Sequence, residues 1–289
     1  MIKLKKSLGQ NFLVNEKIYH FMVEEIAPEK GGLVLEVGPG NGILADLLTK
    51  KETKVLAVEK DSRLIPVLKE RFKNQKNVII LEGDILKINP AELRFDLFKD
   101  QRSNLEKFSY KIVGNIPYYI TSHLLRIILE EWPKPKLILF MVQKEVSRRI
   151  TAKPPEMNLL ALAVQFYAET KIVKKVSKSN FRPVPKVDSA LIKILPKENI
   201  PYSKEFQKNF FKTARAGFGN KRKQILNSLS ENLKLDPKGV ASQLYRAGKS
   251  FILQKLAEAK IEPTRRAESL SIEEWVKLTK LLFPEQSSA

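Results

Sequence analysis

The chain has 289 residues, with 52 Lys+Arg against 32 Asp+Glu and a formal net charge of +20. At that length a hydrophobic content of 43% fills a real core and argues against intrinsic disorder. Cysteine is absent, which removes disulfides, thiolate metal sites and a Cys nucleophile, and His20 and His123 are too few and too isolated for a metal centre. No apolar run reaches the ~18 residues of a membrane span, and the opening MIKLKKSLGQNF lacks the apolar core of a signal peptide. A cytoplasmic, metal-free protein is expected. A pI of ≈ 9.8 points to a polyanionic partner, with RNA or DNA ahead of an acidic membrane surface.

Taken in chain order, the short apolar runs LVLEV (33–37), KVLAVE (54–59), VIIL (78–81), YKIVG (110–114) and KLILFMVQ (136–143) read as strands. Helical periodicity at 43–50 and 64–72 separates them, which predicts a parallel sheet covered by helices on both faces. Two more apolar runs follow, LLALAVQFYA (159–168) and SALIKIL (189–195). After Pro196 the segment KENIPYS reads as a linker, and only helical patterns lie beyond it. The expected organisation is an α/β domain over 1–196 and a smaller all-helical domain over 201–284. The charge is uneven: residues 134–193 hold thirteen Lys/Arg against four Asp/Glu. Lys212, Arg215, Lys221, Arg222 and Lys223 lie in a stretch, 210–229, with no acid at all. These stretches are the candidate face for a nucleic-acid backbone.

The first strand runs into Glu36-Val-Gly38-Pro-Gly40-Asn-Gly42 and then directly into a helix. Glycines there let backbone N–H groups approach a ligand closely. Glu59 ends the second strand, where a carboxylate can accept hydrogen bonds from both hydroxyls of an adenosine ribose. A nicotinamide dinucleotide fits that much. Its fingerprint, however, wants a small residue where Ile43 stands, and no pyrophosphate signal follows. The Glu-x-Gly-x-Gly-x-Gly form is the one typical of S-adenosylmethionine binders, so the sheet is expected to be a Rossmann-like methyltransferase sheet. Gly83-Asp84, after the third strand, adds an acid for an adenine amino group.

The fourth strand leads into Asn115-Ile-Pro117-Tyr118. The Asn115 carbonyl and the backbone carbonyl of Ile116 or Pro117 are acceptors for an exocyclic amine, and Tyr118 offers an aromatic face. Such a nitrogen is a poor nucleophile until two acceptors hold its N–H groups and turn its lone pair toward the methyl donor. Farther on, Phe181-Arg-Pro-Val-Pro-Lys-Val187 is stiffened by two prolines, and Phe181 is expected to cover the second face of a flipped base.

These marks resemble the bacterial small-subunit ribosomal RNA adenine N6,N6-dimethyltransferases over nearly the full length. They are joined by Lys6-Ser-Leu-Gly-Gln10-Asn11-Phe-Leu13, Lys221-Arg-Lys-Gln-Ile-Leu-Asn-Ser228 and Pro263-Thr-Arg-Arg-Ala-Glu-Ser-Leu270. The resemblance implies dimethylation of two adjacent adenosines in a hairpin loop near the 3′ end of small-subunit rRNA, within an assembling subunit; nothing in the sequence suggests an obligate dimer, and a monomer is expected. It also implies that Asn11 and Leu13 close over the cofactor, Gly38 lines it, Glu59 holds its ribose and Asp84 its adenine. Asn115 would then stand between cofactor and target. Two alternatives share parts of the pattern. One is a large-subunit adenine methylase of the macrolide-resistance type, and the other a non-catalytic RNA-binding relative on the same fold.

Overall fold

The computed structural model describes residues 11–88, 109–117, 119–233 and 241–284, with 241–247 in backbone only. In chain order the elements are β1 (Phe12–Leu13), α1 (Glu16–Ile26), β2 (Leu33–Val37), α2 (Ile43–Thr49), β3 (Lys54–Glu59), α3 (Ile65–Arg71), β4 (Val78–Glu82) and β5 (Tyr110–Asn115). Then come α4 (Thr121–Glu130), β6 (Leu137–Gln143), α5 (Lys144–Ile150), α6 (Leu159–Tyr167), β7 (Ala168–Val176), β8 (Phe181–Arg182) and β9 (Ser189–Pro196). The chain closes with α7 (Lys204–Phe218), α8 (Ile225–Asn232), α9 (Ala241–Ala259) and α10 (Ile272–Leu282).

Among the described residues the main sheet has seven strands, in the order β4-β3-β2-β5-β6-β9-β7. Neighbours from β4 to β6 are parallel, whereas β9 runs antiparallel to both β6 and β7. The sheet is therefore mixed, where the apolar runs alone predict a parallel one. The run at 159–168 forms a helix with only its last residue in a strand, and the Lys-rich segment 168–176 forms the edge strand. Lysines on an edge discourage pairing with another chain, and they also dilute the apolar signal of a strand.

Side chains of Val34, Val55, Ala57, Val113, Leu139 and Met141 on one sheet face join Ile18, Met22, Val23 and Ile26 of α1, Leu44 and Leu48 of α2, and Leu68 of α3 in one core. Leu35, Val37, Leu56, Val58, Ile112 and Phe140, which alternate with them, are buried too. Both faces of the sheet are thus covered.

Two compact units divide the chain: Met1–Arg148 with Tyr167–Lys197, and Arg149–Phe166 with Glu198–Ala289. The linear division expected near 196 misses one exchange, because residues 149–166 cluster with the helical unit. Phe166 packs on Phe210 and Phe211 of α7, with ring centroids 4.3 and 5.4 Å apart, and the Met157 N–H donates to the Glu268 carbonyl at 2.9 Å.

Within the helical unit, Ser271 caps α10 in a reciprocal capping box with Glu274. Arg265 forks onto the Glu274 carboxylate and donates to the Ser269 carbonyl at 2.5 Å, while the Ile225 N–H reaches the Arg265 carbonyl at 2.6 Å. The Pro263–Leu270 mark is thus a structural clamp that ties the starts of α8 and α10 together. Arg265→Ala strips the Glu274 carboxylate of its charged donor. Chemical denaturation should register a loss of about 2 kcal/mol, within the range for hydrogen bonds to charged groups.

Candidate functional site

A cleft opens in the sheet unit at the carboxyl ends of β2, β3, β4 and β5. The strand order reverses between β2 and β5, and such a switch point leaves a crevice beyond the strand ends. Registers Glu36↔Ala57 and Val37↔Gly114, with the two-residue alternation of strands, send Glu36, Glu59 and Asn115 to the same face.

After Val37 the backbone turns through Gly38 (φ 68°) and Gly40 (φ 56°), conformations that favour glycine. A Cβ on Gly38 would meet nothing within 4 Å, so its outer side is open to the cleft, whereas one on Gly40 would stand 2.7 Å from the Phe12 ring. Glu59 is almost fully buried, and its carboxylate accepts from the Gly40 N–H at 3.2 Å and the Asp61 N–H at 2.8 Å. Burial raises its pKa, and those backbone donors oppose the shift. Asp84 is fixed by the Leu86 N–H at 3.1 Å and the Lys60 ammonium at 2.8 Å. Burial alone would raise it, but Lys60 and the backbone donor hold it below the usual carboxylate range.

Asn115 Nδ2 donates to the Asn11 carbonyl at 2.9 Å. That bond brings the N-terminal strap against the end of β5. Phe12 and Leu13 pair with Arg182 and Phe181 as β1 and β8, and the Val14 N–H reaches the Asn180 carbonyl at 2.8 Å. The strap is therefore held at both the end of β5 and the proline-rich segment.

Asn11, Leu13, Gly38, Glu59, Asp84, Asn115 and Pro117 all line the cleft. Tyr118 and Lys6–Gln10 lie outside the described residues. Phe181 departs from expectation. It is 1% exposed, belongs to the core with Leu13, Met22, Val176 and Leu191, and is not itself one of the residues lining the cleft. Pairing with Leu13 turns its ring inward while Arg182 faces solvent, so in this structure Phe181 supports the strap and forms no aromatic face of the pocket.

Sequence reasoning gave no role to Tyr19, Lys60 and Tyr119, which also line the cleft, and named Glu36 only as the first residue of the glycine motif. Tyr19 donates to the Leu13 carbonyl at 3.1 Å, and Tyr119 stands largely in solvent at the rim. Glu36 had a readable signal, a lone acid inside an otherwise wholly apolar strand. The residue is 2% exposed, and its Oε2 is buried without a hydrogen-bond partner. Burial, with the adjacent Glu59 carboxylate, pushes its pKa up to about 8. Among the described residues no cluster of three or more His, Cys, Asp or Glu could hold a metal. The donor set instead suits an organic cation bearing a ribose: carboxyls, carbonyl oxygens and an open glycine turn.

A family described as ribosomal RNA adenine dimethylase matches residues 1–283. The chain belongs to the ribosomal RNA adenine dimethylase family. It is an S-adenosylmethionine-dependent methyltransferase acting on rRNA adenine. The protein named ribosomal RNA small subunit methyltransferase A in Dehalococcoides mccartyi is 39% identical over 284 residues, covering 98% of this chain and 90% of that one. The protein of the same name in Bacillus pumilus is 40% identical over 282 residues, covering 96% and 91%. Among solved structures, a dimethyladenosine transferase from Plasmodium falciparum superposes with a TM-score of 0.74 at 24% identity, covering 92% of this chain and 95% of that one. The 23S rRNA methyltransferase ErmE gives 0.70 at 24%, covering 94% and 99%. At such identity both show the fold alone.

The raised pKa of the buried Glu36 links the stability of the fold to pH. A carboxyl whose folded pKa lies above its unfolded value adds stability that is full below the unfolded value and is lost as pH rises through the folded one. The thermal midpoint of the ligand-free protein should therefore fall from about pH 5 to about pH 8. Glu36→Gln should flatten that decline in scanning calorimetry.

Proposed function

We propose that this dimethylase modifies N6 of two adjacent adenosines in a hairpin loop near the 3′ end of small-subunit rRNA. It does so in the cytoplasm, as a monomer, on an assembling subunit. What carries the small-subunit assignment is the name shared by relatives 39% and 40% identical over nearly the whole chain. Among the described residues no helix is long and apolar enough to cross a membrane, which suits that setting.

In this reading Glu59 holds the cofactor ribose, Asp84 its adenine amino group, and Gly38 lines it, with Asn11 and Leu13 closing above. S-adenosylmethionine supplies a methyl group on a sulfonium, already electrophilic. The chain's part is then to prepare the nucleophile. The Asn115 carbonyl and the backbone carbonyl of Ile116 or Pro117 accept the two N–H groups of N6. They favour a pyramidal nitrogen and aim its lone pair. Tyr118 offers a face to the flipped base, and Phe181 contributes from the core by holding Leu13 and the strap. No general base is required, because the proton leaves an already cationic nitrogen. The direct test is mass mapping of rRNA after incubation with labelled cofactor and unmodified small subunits. Dimethyladenosine at two adjacent positions near the small-subunit 3′ end is expected, and label confined to large-subunit RNA would overturn the assignment.

Two variants probe the site. Asn115→Ala removes one acceptor and should lower kcat about 10²-fold or more, as loss of one preorganised polar contact typically does. Its KM for RNA should move little. Phe181→Ala should instead cost about 3–5 kcal/mol of stability, the range for emptying a core aromatic site. A stable Phe181→Ala variant with slow turnover would restore the ring to the base-stacking role.

In the helical unit Lys221 and Arg222 are exposed, whereas Lys223 is bonded to Glu231 at 2.6 Å. The first two are thus the cations offered to RNA phosphates, with Lys223 serving the fold. Neutralising Lys221 and Arg222 together should reduce the salt slope of RNA binding by about 1.5, and leave cofactor affinity unchanged. Filter binding over a salt series would measure both.

A further inference from the structure

The turn that follows β3 carries a buried ion pair to which the proposed roles give no part. Asp61 is 3% exposed, and its carboxylate accepts from the Arg63 backbone N–H at 3.2 Å, from Arg63 Nε at 2.8 Å and from Arg63 Nη2 at 2.6 Å. The Leu64 N–H closes the turn on the Asp61 carbonyl at 2.9 Å, and α3 begins one residue later. The Asp61 N–H in turn donates to Glu59 Oε1 at 2.8 Å, while the Gly40 N–H holds Oε2 at 3.2 Å. Glu59 lines the cleft, whereas neither Asp61 nor Arg63 is among the lining residues.

An acid is a costly choice at position 61. Burying one carboxylate is unfavourable, and placing it beside a second compounds the cost. Burial raises the pKa of Glu59, and the Asp61 charge adds to that rise. The turn alone does not demand this. Asparagine or serine accepts equally well from the N–H two residues on. What a carboxylate alone can do is receive both arms of the Arg63 fork, and a bidentate pair fixes geometry as well as charge. The fork compensates the Asp61 charge and stiffens the turn that carries a donor for Glu59.

We infer that Asp61, clamped by Arg63, is a positioning residue for the Glu59 carboxylate, holding it in the orientation from which it accepts both hydroxyls of the cofactor ribose. This deepens the reading in which Glu59 holds that ribose, and it rests on that reading. With a backbone N–H at each oxygen, the carboxylate keeps one orientation, and its remaining acceptor capacity is what two hydroxyls can use. Without the clamp the turn loosens, the donor to Oε1 is lost, and the carboxylate can rotate about its side-chain bonds. Two hydroxyls in fixed places then find their acceptors less often. Contacts to the adenine and to the rest of the cofactor do not pass through this turn, so the loss is confined to the ribose.

The test compares S-adenosylmethionine with its 2′,3′-dideoxyribose analogue by titration calorimetry. The wild type should favour the natural cofactor by about 10²-fold or more, each hydrogen bond to a charged acceptor being worth about tenfold or more. Asp61→Ala should weaken S-adenosylmethionine about tenfold and the dideoxy analogue less than about twofold, so that the preference shrinks. Arg63→Met, which removes only the fork, should shift the preference in the same direction by a smaller factor. A purely structural role would weaken both ligands alike, and equal weakening in Asp61→Ala, or none, overturns the inference. Should Asp61→Ala not fold, Arg63→Met decides by the same ratio, and an unchanged ratio overturns the inference. A parallel titration of Glu59→Ala separates the two levels of argument. If the wild type shows no preference for the natural ribose, or Glu59→Ala keeps it, the ribose role of Glu59 itself fails. If Glu59→Ala loses the preference while Asp61→Ala keeps it, only the positioning role of Asp61 falls.

Discussion

Two neighbouring strands can bring their ends together only as closely as their side chains allow. At the end of β5 a Cβ on residue 114 would stand 2.6 Å from the Val37 carbonyl oxygen, nearer than packed atoms tolerate. Glycine removes that obstacle, and Val37 pairs with Gly114 in parallel register. The residues that follow, Gly38 on one strand and Asn115 on the other, then leave the sheet side by side at the switch point. The glycine turn and the Asn115 amide are neighbours for this reason. Two-residue periodicity does the rest, placing Glu36, Glu59 and Asn115 on the face that α1 covers.

Much of this was legible in the sequence because the central strands are buried on both faces. LVLEV and KVLAVE announce themselves as apolar runs, and the structure gives them the same bounds, 33–37 and 54–59. The edge was harder. A run such as LLALAVQFYA fits a buried helix and a buried strand equally, and tertiary context made it a helix. The true edge strand, AETKIVKKV, carries lysines that suit its exposed border and disguise its pattern. The direction of Phe181 was not legible at all. It is set by pairing with Leu13, a partner 168 positions away, and no local signal encodes that contact.

The positive charge sorts into different jobs once partners are visible. Lys174 lies over the Phe21 ring at 4.2 Å, and Lys193 pairs with Glu25 at 3.1 Å, so both serve the packing of α1 on the sheet. Lys178, Arg182 and Lys186 stand exposed on the segment joining β7 to β9, on either side of the buried Phe181. An anchored ring flanked by exposed cations describes a segment held from within and charged outside. Such an arrangement suits a polyanion better than general solubility would require.

The strap formed by Asn11–Leu13 ties these parts into one device. A backbone carbonyl can only accept, so the bond from Asn115 to Asn11 fixes which end of the Asn115 amide faces the strap. One N–H of Nδ2 is spent there, which leaves Oδ1 as the acceptor that the proposed chemistry needs. Without the strap the amide could turn and present its own N–H groups, which repel an exocyclic amine instead of holding it. In the proposed chemistry residues 11–13 thus do more than cover the cofactor: their bond to Asn115 also orients the acceptor. The same residues touch Gly40 through Phe12 and Phe181 through Leu13, so cofactor turn, acceptor and proline-rich segment are registered against one short stretch of backbone. In a site whose chemistry depends on the direction of a single lone pair, that shared reference has more consequence than any added charge would.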